Sequence, residues 1–137
     1  MSEYQLQVRS FKPAAASTTS VAAAQTLGGA GNMTLAGTAS TFAGTNTVAL
    51  ITLTSTGNIS GVNFTITGTD ANGDTQTETI AGPNNETVST TNYFATVTQI
   101  AADAAVGTNT SAGNSAETAG VIFAGANRVK GAQITTG

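Results

Sequence analysis

Val62-Asn63-Phe64-Thr65-Ile66-Thr67 is the clearest alternation of apolar and polar residues in this 137-residue chain. Side chains point alternately to the two faces of a β-strand, so Val62, Phe64 and Ile66 would share one face. The pattern therefore predicts a strand with one face in a hydrophobic core. An apolar strand face of this kind needs a second layer to cover it.

The residues after this strand predict two turns. Asn72-Gly73 stands between threonine-rich runs, and both residue types tolerate the positive φ that hairpin turns require. Gly82-Pro83-Asn84-Asn85 predicts a second turn, because proline fixes φ at its second position. The stretch Thr87–Thr98 then returns across the domain, with the two rings of Tyr93-Phe94 expected on opposite faces.

Short apolar runs separated by Gly, Asn and Asp continue along the chain at spacings typical of all-β domains. The predicted strands are Met33–Leu35, Val48–Thr54, Val62–Thr69, Thr75–Ala81, Tyr93–Ala101, Val121–Ala124 and Gln133–Thr135. Helical turns over Ala14–Ala24 and Gln99–Ala105 remain open as alternatives, because both stretches are rich in alanine. The predicted fold is an all-β sandwich or jelly-roll-like barrel. Residues 1–26 would form an extended N-terminal arm, and residues 27–137 a β-domain that can end in an extended tail.

The composition excludes several kinds of chemistry. The chain has no cysteine and no histidine, which removes cysteine nucleophiles, Ser-His-Asp triads, disulfides and zinc sites built on thiolate or imidazole. Thr, Ala, Gly, Asn and Ser together supply 88 residues, which favours a structural protein. We therefore predict that the chain is not an enzyme and has no catalytic, cofactor-binding or metal-binding residues.

The acidic set Asp70, Asn72, Asp74 and Glu78 invites comparison with two kinds of site. Calcium loops of the EF-hand type carry Gly at position 6 and an acid at position 12, whereas here Gly73 falls at position 4. Glycoside hydrolysis needs two carboxyl groups across a cleft, one of them in an apolar setting. A threonine-rich hairpin provides neither arrangement, so we interpret this set as a solvated hairpin tip.

A small core and a nearly uncharged surface indicate self-association. Only 30 residues are large and apolar, so we expect further burial between copies, with a trimer as the preferred homo-oligomer. The net charge of −3 argues against nucleic acid as a partner. No stretch approaches the length of a membrane helix, and the N-terminal alanines lack the unbroken apolar run of a signal peptide.

The charged residues are unevenly distributed. All four cations lie near the ends of the chain, and all the acids except Glu3 lie between positions 70 and 117. Tyr4 belongs to an alternating segment near the N-terminus. The candidate interaction residues are Tyr4, Arg9, Lys12, Arg128 and Lys130. Terminal segments that contact a partner would explain this distribution, and ordinary solvated charge is the alternative.

A longer series of motifs spans roughly positions 28 to 107. It consists of Gly31–Leu35, Ile51–Asp70, Asn72-Gly73, Glu78-Thr79, Gly82-Pro83-Asn84 and Tyr93–Val97. Together these motifs resemble a group of small virion proteins of tailed bacteriophages. Val48-Ala49-Leu50 replaces a basic residue expected in that group before the strand at Ile51, and the segment after Gly107 follows no pattern of the group.

The resemblance implies a β-rich capsid decoration or cement protein, which binds the assembled capsid and stabilises it by bridging coat subunits. Its implied partners are the major capsid protein and copies of itself. Its implied location is the capsid exterior, after synthesis in the host cytoplasm. A carbohydrate- or receptor-binding β-module of a phage fibre or tail is the alternative function. The absence of tryptophan and the scarcity of tyrosine disfavour that alternative, because sugar rings stack on exposed aromatic side chains.

Overall fold

The computed structural model describes residues 12–36, 39–45 and 47–120, and within these ranges the regular elements are all β-strands. In chain order they are β1 (Lys12–Pro13), β2 (Ser17–Leu27), β3 (Gly31–Asn32), β4 (Gly44–Thr45), β5 (Thr47–Ser55), β6 (Asn63–Thr69), β7 (Thr75–Ala81), β8 (Thr87–Phe94), β9 (Thr96–Ala102) and β10 (Val106–Gly120). The predicted all-β class is confirmed. The predicted strands Val121–Ala124 and Gln133–Thr135 lie outside the described residues.

Eight of these strands form two antiparallel four-stranded sheets. Sheet I has the order β2-β10-β5-β8, and sheet II has the order β3-β9-β6-β7. The pairs are nested along the chain, since β2 pairs with β10, β3 with β9, β5 with β8 and β6 with β7. A long hairpin wound in this way across two sheets is a jelly roll. The short strands β1 and β4 pair separately.

The core lies between the inner faces of the two sheets. Phe64 and Ile66 of β6 are fully buried, and they pack in one cluster with Ile51 and Leu53 of β5 and with Phe94. The predicted apolar face of the Val62–Thr67 stretch is confirmed, because Val62 is buried as well. Ala and Val fill much of the remaining core, which suits a chain with few large apolar residues.

The strand β2 corrects the predicted N-terminal arm. Residues 17–26 are paired in sheet I, so they belong to the β-domain, and the helical alternative for Ala14–Ala24 is wrong. Alanine has a high helix propensity, but pairing with a neighbouring strand outweighs that preference here. Residues 1–11 of the predicted arm lie outside the described residues.

Other predicted strands differ in their limits. The chain switches sheets at Ala95, so β8 and β9 replace a single strand over Tyr93–Ala101. Residues 33–35 are not a strand, although the N–H of Met33 donates to the Ile100 carbonyl at 2.8 Å. Residues 99–102 are extended, so the helical alternative for Gln99–Ala105 is wrong. Tyr93 is exposed and Phe94 buried, as their adjacent positions predicted.

The hairpin between β6 and β7 is confirmed at the predicted place. Gly73 has φ +86°, and its N–H donates to the carbonyl of Asp70 at 3.1 Å. Only the glycine of Asn72-Gly73 has positive φ, so the loop is a turn closed by a left-handed glycine. The second predicted turn also joins two strands, β7 and β8, and its left-handed residue is Asn85 at φ +54°.

Candidate interaction surfaces

The structure describes one of the five candidate interaction residues. Lys12 is exposed on β1, where its backbone lies opposite Thr45 of β4. The other four, Tyr4, Arg9, Arg128 and Lys130, lie outside the described residues. Of the five, the structure therefore places only Lys12, at the point where the N-terminal segment joins the domain.

Both ends of the described chain reach the same end of the sandwich. Lys12 lies opposite Thr45, and Gly120 at the end of β10 lies opposite Thr47 at the start of β5. Thr45 and Thr47 are two residues apart in the chain, so their Cα atoms are separated by at most about 7 Å. We call this end of the jelly roll the tail end, and the end at Ser55 the turn end.

Threonine side chains cover the outer face of sheet II. The core-facing residues of β6 and β7 alternate with outward residues, which are paired across the two strands. The outward residues are Asn63, Thr65, Thr67, Thr69, Thr75, Thr77, Thr79 and Ala81. Hydroxyl pairs link neighbouring strands, with 2.9 Å between the Oγ1 atoms of Thr65 and Thr79 and 2.7 Å between those of Thr69 and Thr96. On β6 and β7 this face is uncharged.

A carboxylate joins the two sheets along one side. Glu78 lies on β7, the edge of sheet II, and accepts the N–H groups of Thr91 and Asn92 on β8, the edge of sheet I, at 2.8 and 2.9 Å. The Thr91 hydroxyl donates to the same carboxylate at 2.9 Å. Gln76 adds a bond from Nε2 to the carbonyl of Tyr93 at 2.7 Å. Glu78 is therefore a structural link between the sheets. Its assignment to a solvated hairpin tip, made from the sequence, is wrong.

On the opposite side, a neutral amide links β2 to the segment that follows β3. Gln25 of β2 donates from Nε2 to the Thr34 carbonyl at 2.9 Å and accepts the Thr34 N–H on Oε1 at 2.8 Å. The Gln25 side-chain amide thus makes the two hydrogen bonds to Thr34 that the backbone of a neighbouring antiparallel strand would otherwise make. The N–H of Ala36 also donates to the Val21 carbonyl at 2.7 Å. These bonds satisfy strand edges that would otherwise invite pairing with other chains.

Two carboxylates have lowered pKa values. Partial burial alone would raise the pKa of Glu78, but the hydrogen bonds from the backbone and hydroxyl of Thr91 and from the Asn92 N–H outweigh it. The pKa of Asp103 is lowered by the Asn63 side-chain amide at 2.8 Å and then by the Asn63 N–H at 2.9 Å. A general acid at neutral pH needs the opposite shift, so both groups act as hydrogen-bond acceptors.

The chain itself covers part of the outer face of sheet I. Gly113 of β10 lies opposite Thr52, and a Cβ atom added to Gly113 would lie 1.8 Å from the Ser17 carbonyl oxygen. Glycine is therefore required at position 113, because the backbone of Ser17, at the start of β2, passes directly over it. Asn114, 2% exposed, donates from Nδ2 to the Ala15 carbonyl at 3.0 Å. The Ser20 hydroxyl donates to the Asn114 Oδ1 at 2.7 Å.

A shallow groove lies beside this covering segment. Its volume is about 220 Å³, and it is lined by Ala16, Ser17, Thr18, Thr52, Thr87, Asn114 and Ser115. Thr52 is 8% exposed, and its hydroxyl has no hydrogen-bond partner in the structure. Gly113, Asn114 and Thr52 carry no signal in the sequence, since residues after Gly107 fit no expected pattern and Thr52 is one of many threonines.

The hairpin tip is organised by its own carboxylate. Asp70 Oδ1 accepts the N–H groups of Asn72 and Asp74 at 2.8 and 3.0 Å, which stabilises the turn. Within the described ranges, no group of three or more His, Cys, Asp or Glu side chains is placed to hold a metal ion. No helix in the part of the chain that the structure describes is long and apolar enough to cross a membrane. Comparison with protein-family models, curated proteins and solved structures produced no match.

Proposed function

We propose that this chain is a virion structural protein that binds the outside of an assembled capsid and stabilises it by bridging coat subunits. The observation that carries this proposal is a jelly roll with an uncharged, threonine-covered outer face on β6 and β7, in which the carboxylates of Glu78 and Asp103 act as hydrogen-bond acceptors. Jelly rolls recur in viral capsid domains, although fold alone does not determine function. The motif resemblance to tailed-phage virion proteins supports the same role.

The surface chemistry suits binding to a repetitive assembly. Threonine faces offer hydroxyl and methyl contacts that are individually weak, and bridging two subunits lets such contacts act together. A protein that binds only the assembled state stabilises that state by mass action. The partners would be the major capsid protein and further copies of this chain, in a trimer. The protein would be made in the host cytoplasm and end on the capsid exterior.

A carbohydrate- or receptor-binding module is the second candidate, because jelly rolls also occur in lectins. Tyr93, 36% exposed, is the exposed large apolar side chain among the described residues. A single tyrosine provides little stacking surface for sugar rings. This observation favours capsid binding over sugar binding.

Co-sedimentation distinguishes the two functions. Purified protein is mixed with capsids of the encoding phage that were assembled without it, and the bound fraction and the temperature of shell opening are measured. We expect saturable binding and a higher opening temperature, with binding weakened by salt because exposed charges are screened. The same preparation is applied to a glycan array. Glycan binding without capsid binding would contradict the proposed role.

Analytical ultracentrifugation tests the proposed trimer separately. A trimer would sediment as one species at micromolar concentration. A compact, thermally stable monomer under these conditions would contradict self-association and leave capsid binding to be judged by co-sedimentation.

A further inference from the structure

The loop between β6 and β7 carries an asparagine in an unusual setting. Asn72 is followed by Gly73, whereas every other asparagine in the sequence is followed by a residue that has a side chain. Both residues are exposed, and nothing lies within 4 Å of a Cβ atom added to Gly73. The peptide bond that joins Asn72 to Gly73 is therefore open to solvent and has no side chain over its glycine end.

The side-chain amide of Asn72 is not held in place. Other asparagine amides are held, since Asn63 donates from Nδ2 to the Asp103 carboxylate at 2.8 Å and Asn114 donates to the Ala15 carbonyl at 3.0 Å. Among the described residues, the Asn72 side chain takes part in no hydrogen bond. Its Cγ atom can therefore rotate toward the backbone nitrogen of the next residue.

The turn leaves one hydrogen bond to break before that nitrogen is accessible. The Gly73 N–H donates to the Asp70 carbonyl at 3.1 Å. The base of the loop is closed separately, because the Asp70 N–H donates to the Asp74 carbonyl at 2.9 Å and the Asp70 Oδ1 accepts the Asp74 N–H at 3.0 Å. Strand pairing then resumes with Thr69 opposite Thr75. The Gly73 N–H can thus open to solvent while β6 and β7 stay paired.

We propose that Asn72 is a site of spontaneous deamidation. The Gly73 nitrogen loses its proton to a solvent base and attacks the Asn72 Cγ. The new N–Cγ bond forms as the Cγ–Nδ2 bond breaks, and Nδ2 takes up a proton and leaves as ammonia. Water then adds to either carbonyl of the cyclic imide and breaks its bond to the nitrogen, which gives aspartate or isoaspartate at position 72. Glycine favours ring closure because its backbone is the least restricted.

The reaction changes the charge of the hairpin tip, whether or not the chain binds a capsid. A third carboxylate appears between Asp70 and Asp74, and the formal net charge becomes one unit more negative than −3. The tip lies at the tail end, because β8 ends opposite the start of β5 and the next residue, Ala95, donates its N–H to the Thr69 carbonyl at 2.8 Å. Deamidation therefore makes the tail end more acidic with time.

Mass spectrometry of the full-length protein tests the site. The protein is incubated at mildly alkaline pH and digested with chymotrypsin, and fragment sequencing locates each gain of about 1 Da. Isoaspartate is detected separately with an isoaspartyl methyltransferase and a labelled methyl donor. Asn109 is the internal control, since it is exposed but followed by Thr110. We expect conversion at Asn72 to be at least about tenfold faster than at Asn109.

Two further rates test the role of the turn. Conversion at Asn72 in the folded chain should be within about tenfold of the rate in urea, since only one exposed hydrogen bond must open. Gly73→Ala should slow conversion by about tenfold or more. Thermal melting checks that this variant is folded, and Asn72→Gln, which would have to close a larger ring, replaces it if it is not. A folded chain that converts more slowly than this limit, or equal rates at Asn72 and Asn109, would overturn the proposal.

Discussion

The outer faces of the two sheets are used in different ways. On sheet I the chain covers itself, with the backbone of Ser17 against Gly113 and the Asn114 amide bound to the Ala15 carbonyl. On sheet II the outward residues of β6 and β7 are mostly threonines whose hydroxyls bind one another. Within one jelly roll, therefore, one outer face is partly covered by the chain's own backbone, and the outward residues of β6 and β7 on the other stay exposed or half-buried.

The largest effect is expected from Gly113→Ala. The added methyl group must displace backbone, because it would lie 1.8 Å from the Ser17 carbonyl oxygen. We expect the free energy of unfolding to fall by about 3 kcal/mol, measured by urea denaturation. Gly107→Ala is the matched control in the same strand, since nothing lies within 4 Å of its added Cβ. Equal stability of the two variants would mean that the backbone at the start of β2 does not lie against Gly113.

Asn114→Ala should have the next largest effect. It removes the donor to the Ala15 carbonyl and the acceptor of the Ser20 hydroxyl at a buried position. A loss of about 2 kcal/mol is expected, because buried polar groups are costly when their partners are removed. Asn109→Ala, at an exposed position of β10, serves as control and should change little. A matching loss in both variants would contradict a specific role for Asn114.

Glu78→Gln tests the charged link between the sheets. Gln keeps one acceptor and turns an NH₂ group toward backbone donors, so we expect a loss of about 1 kcal/mol at pH 7, after allowance for solvent screening. Because the pKa of Glu78 is lowered by folding, its stabilisation is complete above the unfolded value of 4.5 and is lost as pH falls through the lower folded value.

The difference between wild type and Glu78→Gln in thermal melting should therefore shrink below pH 4.5. Glu86→Gln, an exposed carboxylate before β8, provides the control and should cost less than about 0.5 kcal/mol. A difference that stays constant as the pH falls would show that the Glu78 charge does not support this contact.

The smallest effects compare a threonine on each face. Thr52→Val removes a buried hydroxyl that has no hydrogen-bond partner in the structure, so stability should rise by about 0.5 to 1 kcal/mol. Thr67→Val on the open face should change the free energy of unfolding by less than about 0.5 kcal/mol. Destabilisation by Thr52→Val in urea denaturation would indicate that this hydroxyl is hydrogen-bonded in solution.

The sequence predicted those strands and turns for which the preferences of the local residues agree with the strand pairing in the fold. Strand β6 alternates regularly, and the loop before β7 contains a glycine that adopts positive φ. Strands β2 and β10 were missed because alanine, glycine and asparagine have low strand propensity, and only long-range pairing makes these segments extended. The same reason hid Gly113 and Asn114, whose roles depend on a segment almost one hundred residues earlier.

Among the polar residues, Glu78 stood out in the sequence but was assigned to a hairpin tip. Glu78 lies opposite Ile66, so its side chain is on the core-facing side of β7. This alternation along the strand distinguishes Glu78 from the exposed threonines beside it. Gln25 gave no such signal in the sequence. Its side-chain amide bonds the backbone of Thr34, and this role is recognisable only when the position of Thr34 is known. Side chains that join two sheets thus require the topology before they can be identified.

An electron cryomicroscopy reconstruction of capsids saturated with this protein tests the central claim most directly. We expect jelly-roll density on the outer surface at sites between coat subunits. Capsids without added density after incubation at saturating protein would contradict the account.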